Sequence, residues 1–142
     1  MLDDVNVLKQ RDRSGALGVV ADIYRQTALD VNLLDSEHDE RVINNIVVAG
    51  MGGSALAAEM AKVILHDSLT VPFEIVRGYE LPNYAHENTL VIASSFSGNT
   101  EETVACVEEA IKKSCQVVAI TSGGKLKDLA ASSHAMLGLI PA

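Results

Sequence analysis

Short apolar runs alternate with helical periodicities through most of this 142-residue chain. Ile46 to Ala49, Phe73 to Val76, Leu90 to Ala93, Val117 to Ile120 and Met136 to Ile140 are rich in Val, Ile, Leu and Ala. Runs of that length read as strands buried on both faces. Ser54 to His66 puts Leu56, Met60, Val63 and Ile64 on one side of a helix, and Thr100 to Lys113 and Lys125 to Ser132 read as further helices. Five short strands separated by helices predict a doubly wound, five-stranded parallel sheet with right-handed crossovers, an α/β fold of three layers. Upstream, Leu17, Val20, Tyr24, Ala28, Val31 and Leu34 recur at helical steps with Ser14 placed as the cap. Asp35 to Arg41, DSEHDER, reads as a linker. The expected division is an N-terminal helical segment and linker over 1–41 and an α/β domain over 42–142. The fifth strand runs into Pro141-Ala142 with no helix after it, so its edge is expected to be uncovered and the chain to be cut short.

Composition narrows the chemistry. Apolar residues make up 48% of the chain and aromatic ones 4%, so the core must be aliphatic. The formal net charge of -8 and the absence of a basic block point away from nucleic acid and anionic membranes. No apolar run has the length of a membrane span, and the N-terminus lacks the basic then apolar order of a signal peptide. A cytoplasmic protein is expected. Cys106 and Cys115 form no disulfide framework, and His38, His66, His86 and His134 lack metal-ligand spacing. No metal or cofactor is expected.

Two loops carry residues that a connection does not need. AGMGGSALAAE, Ala49 to Glu59, follows the first strand, and SSFSGNT, Ser94 to Thr100, follows the third. A strand-to-helix turn needs one good cap, yet the second loop holds four hydroxyls, a glycine and an asparagine. Gly50, Gly52 and Gly53 free the first loop's N–H groups to face an anion, and Ser54 adds a hydroxyl. Ser95, Ser97 and Thr100 can converge around Gly98, and each helix N-terminus adds roughly half a positive charge. Neutral donors and two dipoles suit a phosphate. A glycine loop alone is equally compatible with a dinucleotide site, another anion site or close packing, and a serine turn alone with a cap. Glu101 and Glu102 in the first helical turn read as dipole partners, since a carboxylate beside phosphate is repelled. Glu59 reads as solvated. Lys125, after Thr121 to Gly124, can reach a sugar or phosphate or stand exposed at a helix start.

GMGGSALA at Gly50 to Ala57 and SSFSGNTEET at Ser94 to Thr103 resemble the sugar isomerase (SIS) domain, and more narrowly the bifunctional phosphoglucose/phosphomannose isomerases. The N-terminal MLDD, the helix around Ser14-Gly15 and TSGGKL at Thr121 to Leu126 are similar to that family as well. The resemblance implies a flavodoxin-like SIS fold and a protein of two SIS domains that grips a hexose 6-phosphate mainly with the first. Carried over by motif, Ser95, Ser97 and Thr100 bind the phosphate, and Gly53 and Ser54 line the sugar side. The family's catalytic glutamate, ring-opening histidine and lysine belong to the second domain, the histidine coming from a partner subunit. A further arginine follows a strand ending like LGLIPA. All fall beyond residue 142, so this chain is expected to bind but hardly to turn over, and to meet a C-terminal SIS domain or a second copy.

Three other readings compete. A Rossmann domain would use GMGGSA for a dinucleotide and Arg77 for the NADP phosphate, but leaves SSFSGNT without a purpose. An SIS-type phosphosugar sensor needs a DNA-binding region, for which the short acidic N-terminal segment has no helix-turn-helix pattern. A pure assembly role would use the uncovered fifth strand.

Overall fold

The computed structural model describes residues 4–28, 31–34, 40–133 and 135–141, without the side chains of residues 26, 27 and 32. Residues 35–39 of the expected linker, His38 and His134 lie outside the described residues. The chain divides into two compact units, residues 1–30 and 31–142.

In the first unit, α1 (Val5–Arg11) is capped by Asp4, whose carboxylate accepts the Asn6 N–H at 2.9 Å. A second helix, α2 (Ala16–Ala21), and a 3-10 helix, Ile23–Ala28, follow. The single helix expected from Ser14 to Leu34 is therefore broken. Asp12, not Ser14, satisfies its first turn, accepting from the Ala16 and Leu17 N–H groups at 2.8 and 2.9 Å. β-branched Val19 and Val20 propagate a helix weakly, and Asn32–Leu34 form a strand, β1, in the second unit.

The second unit continues with β2 (Asn45–Gly50), α3 (Gly52–Ile64), β3 (Phe73–Val76), β4 (Thr89–Ser94), α4 (Glu101–Lys112), β5 (Gln116–Thr121), α5 (Gly124–Ser132) and β6 (Met136–Leu139). The sheet order is β1-β6-β5-β4-β2-β3. β2 to β6 are parallel, as expected, in a flavodoxin-like order with its switch point between β2 and β4. The sixth strand was not foreseen. β1 pairs antiparallel with β6, Leu33 opposite Gly138, so the edge expected to be bare is covered and the assembly reading loses its basis.

Burial follows the pleat. Thr89, Val91 and Ala93 of β4 and Val117, Ala119 and Thr121 of β5 are buried, and the residues between them less so. Strand β2, flanked by β3 and β4, is buried on nearly every position. The core is aliphatic, with Val47, Val91, Val107, Ala119 and Leu126 fully enclosed. The β3–β4 connection has no helix. It is fastened to α4 instead, where the Cys106 thiol donates to the Gly78 carbonyl at 3.3 Å and the Leu81 N–H donates to the Glu109 carboxylate at 2.8 Å. Burial pushes the Cys106 thiol up to about 11 and also raises Cys115.

The face of α3 is the other correction. Ala55 and Ala58 are buried, whereas Leu56, Met60, Val63 and Ile64 stand 61%, 59%, 76% and 75% exposed. Small side chains let the helix sit close over β2 and β3, and the larger apolar stripe is turned outward.

Candidate functional site

The register of the sheet brings the two singled-out loops together. β2 and β4 are neighbours with Gly50 opposite Ser94, so the β2–α3 and β4–α4 loops leave adjacent strand ends at the switch point, where sheets of this type bind ligands. A Cβ on Gly50 would come within 3.1 Å of the Ser94 carbonyl, a sign of how closely the loops start out.

Both following helices begin without a side-chain cap. Met51 precedes α3 and Thr100 precedes α4, and neither side chain accepts a helix N–H. The first-turn N–H groups of a helix have no partner within it, so two sets of donors and two positive dipole ends lie at neighbouring strand termini. Around Gly52 and Gly53 an added Cβ would meet nothing within 4 Å. Close packing therefore does not account for those glycines, and the space over them is open.

The serine-rich turn is ordered by its own hydroxyls. Ser95 is 3% exposed, and its Oγ accepts the Gly98 N–H at 3.2 Å and lies 2.8 Å from Thr100 Oγ1. Ser97 Oγ accepts the Asn99 N–H at 3.2 Å, which leaves its own proton for another acceptor. Ser97 is exposed and Thr100 half-buried. Among the described residues, the N–H groups of Ser97 and Thr100 donate to nothing.

The β5–α5 turn backs this loop. Ser122 donates to the Phe96 carbonyl with its N–H at 3.1 Å and its Oγ at 2.6 Å, and the Leu126 N–H donates to the Gly98 carbonyl at 2.9 Å. The Lys125 N–H donates to Asn99 Oδ1 at 3.2 Å, while its side chain is exposed. Asn99, Thr121 and Ser122, which the sequence marks only as part of a polar loop and of the TSGGKL similarity, are the residues that join the two turns.

The charged neighbours sort differently. Glu101 and Glu102 open α4 and raise the Tyr79 phenol above its ordinary value, Glu102 through its charge first, then partial desolvation, then Glu101. They face Tyr79. Glu59, expected to be solvated, is paired with Arg77 at 2.9 Å, so the arginine suggested for an NADP phosphate is already engaged with a carboxylate. A hollow of about 640 Å³ at the amino ends of β2 and β3, lined by Asn45, Phe73, Glu74, Tyr84 and His86 among others, shares no residue with the two loops.

The family model of the SIS domain matches residues 41–140. A bifunctional phosphoglucose/phosphomannose isomerase of Caldicellulosiruptor bescii is 46% identical over 88 residues, which are 62% of this chain and 26% of that protein. The protein of that name from Thermoplasma acidophilum is 40% identical over 104 residues, 73% of this chain and 33% of its own length. The crystal structure of tagatose-6-phosphate ketose/aldose isomerase from Escherichia coli aligns with a TM-score of 0.61 at 26% identity, covering 89% of this chain and 36% of that one. The chain thus spans about a quarter to a third of the length of the two curated relatives.

Proposed function

The chain belongs to the SIS domain family, and on that premise we propose that it is the phosphate-gripping N-terminal domain of an isomerase interconverting glucose 6-phosphate, and mannose 6-phosphate, with fructose 6-phosphate. The observation that carries this reading is the pair of uncapped helix N-termini on in-register strand ends, with the exposed Ser97 hydroxyl, whose proton is unspent, in the loop that leads into the second. A phosphate dianion has the lone pairs to take all these donors, and charge-assisted hydrogen bonds are the strong ones.

Ser97 and Thr100 donate directly to the phosphate. Buried Ser95 acts through Thr100: with Ser95 as the donor in their 2.8 Å hydrogen bond, the threonine's proton is left for the phosphate. Gly53 and Ser54 line the sugar side, and Lys125 stands at the rim. Moving a proton between C1 and C2 through an enediol needs a placed general base and an electrophile for the oxyanion. Glu101 and Glu102 are poor candidates, since they face Tyr79 beside the bound phosphate. The base and the ring-opening acid come from a second SIS domain, against which the exposed stripe of α3 can pack, in the same protein or in a dimer. The reaction needs no cofactor, and the setting is cytoplasmic. No helix among the described residues is long and apolar enough to cross a membrane.

Ser97→Ala should weaken fructose 6-phosphate binding by about 1–3 kcal/mol in a calorimetric titration, the range for hydrogen bonds to a charged group. Equal affinities would remove Ser97 from the site. Losing a base typically costs on the order of 10²–10⁴ in rate, so robust isomerase turnover by the purified 142-residue chain would overturn the division of labour.

A further inference from the structure

The hollow at the amino ends of β2 and β3 lies at the opposite end of the sheet from the two loops, and its wall holds a polar group that the fold leaves unserved. Asn45 opens β2 and is 8% exposed, and its Oδ1 is buried with no hydrogen-bond partner among the described residues. An orphaned buried acceptor is costly, and native structures keep few of them. Register fixes the side on which it lies. Asn45 and Val47 are two apart on β2, so their side chains share a face. Val47 pairs with Glu74, and side chains paired across strands stand on the same face. The β3–β4 connection covers that face, where Ala85 joins Val47 in the core and the Tyr84 hydroxyl donates to Glu74 Oε2 at 2.6 Å. Asn45, Glu74, Tyr84 and Ala85 all line the hollow, whose volume of about 640 Å³ is that of a small-molecule site.

We propose that this hollow is a second binding site of the chain, for a flat organic cation that carries N–H groups, of the guanidinium or amidinium class. The site stands independently of the phosphate cradle. Charge selects the ligand, because Glu74 is the carboxylate of the wall and pairs with no basic side chain among the described residues. Tyr84 occupies Oε2, and Oε1 is left to accept. Partial desolvation, then the Glu74 hydrogen bond, push the Tyr84 phenol up to about 12, so it keeps its proton and offers a neutral ring against which a cation is attracted. The terminal torsion of an asparagine is broad, and a small turn of the Asn45 amide presents Oδ1 to a donor seated in the hollow. A planar cation with a fixed fork of N–H groups serves two such acceptors at once. His86, the other titratable group of the wall, accepts the Asn88 N–H on Nδ1 at 3.0 Å. Its neutral ring therefore carries the proton on Nε2 and adds no acceptor, which leaves recognition of the cation to Asn45 and Glu74.

The test titrates ethylguanidinium into the isotope-labelled chain and follows its amide NMR spectrum, which also registers folding. Saturable shifts at Glu74, Tyr84, Ala85 and His86 are expected, with Ser97 and Thr100 unmoved. Ethylurea has the same flat shape without the charge, and ethylammonium the same charge without the fork; each should bind more weakly by about 5-fold or more. Glu74→Gln, at an exposed position, should weaken ethylguanidinium by about 10-fold or more, the range for a hydrogen bond between charged groups. Asn45→Leu keeps the branching and removes the orphaned oxygen, and should weaken it by about 5-fold. Glu74→Gln decides the matter if Asn45→Leu fails to fold. The absence of saturable shifts around the hollow overturns the proposal. So does ethylurea binding as tightly as ethylguanidinium, or an affinity that Glu74→Gln leaves unchanged.

Discussion

Gly98→Ala is the sharpest probe of how the two loops interlock. An alanine at φ +67° sits in the left-handed region, which costs an L-residue about 1–2 kcal/mol. Its methyl would also lie 1.7 Å from the Gly123 carbonyl oxygen and 2.7 Å from Thr121 Oγ1. Restoring ordinary carbon–oxygen contact near 3.3 Å requires the β5–α5 turn to retreat by about 1.6 Å, and overpacking of this kind costs about 1–3 kcal/mol. The two terms give about 2–5 kcal/mol. For a domain of this size that lowers the midpoint of thermal unfolding by about 6 °C or more. Circular dichroism reads the midpoint, and amide exchange reads the Leu126 N–H, whose acceptor is Gly98 O. Gly53→Ala is the control. Its methyl meets nothing within 4 Å, and alanine exceeds glycine in helix propensity by about 1 kcal/mol. Stability should hold or rise, while phosphosugar affinity falls because the methyl intrudes on the ligand side. A Gly98→Ala protein that melts within about 1 °C of wild type and exchanges its Leu126 amide at the same rate would refute the interlocked geometry.

Three other substitutions test the frame around the site. Leu126 of α5 is fully enclosed in the core, so Leu126→Ala should destabilise by about 2–5 kcal/mol in urea unfolding. The Leu81 N–H and then Lys113 hold the Glu109 carboxyl below its ordinary value. A carboxyl depressed in the folded state stabilises fully above its unfolded pKa and loses that contribution as pH falls through the folded one. Glu109→Gln should therefore cost about 1 kcal/mol at neutral pH and flatten the acid limb of the stability profile; an unchanged limb would remove this pair from the balance. Val63→Glu, in the middle of the exposed stripe of α3, should abolish concentration-dependent self-association in sedimentation runs. A wild-type chain that stays monomeric at high concentration would count against the stripe as a docking surface.

The parallel strands were legible because each is a compact aliphatic run, and the two loops because hydroxyls and glycines cluster where a turn needs few. Other features depend on contacts that no local pattern encodes. Asn32–Leu34 continue a helical period and become a strand only by pairing with β6, whose residues lie more than a hundred positions later. The helix α3 has a small-residue face and a large-residue face, and apolar periodicity favours the larger, whereas packing chose Ala55 and Ala58. Arg77 and Glu59 each look unpaired in sequence and meet because α3 crosses β3. Asn99 and Lys125 meet because two loops face each other across the β4–β5 pair.

The most direct measurement is an amide NMR titration of the 142-residue chain with fructose 6-phosphate, with fructose and NADPH as controls. Binding of the phosphosugar alone, with shifts centred on Ser54, Ser95, Ser97 and Thr100, is the predicted result. Shifts produced by NADPH and not by fructose 6-phosphate would contradict the account and make the glycine loop a dinucleotide site.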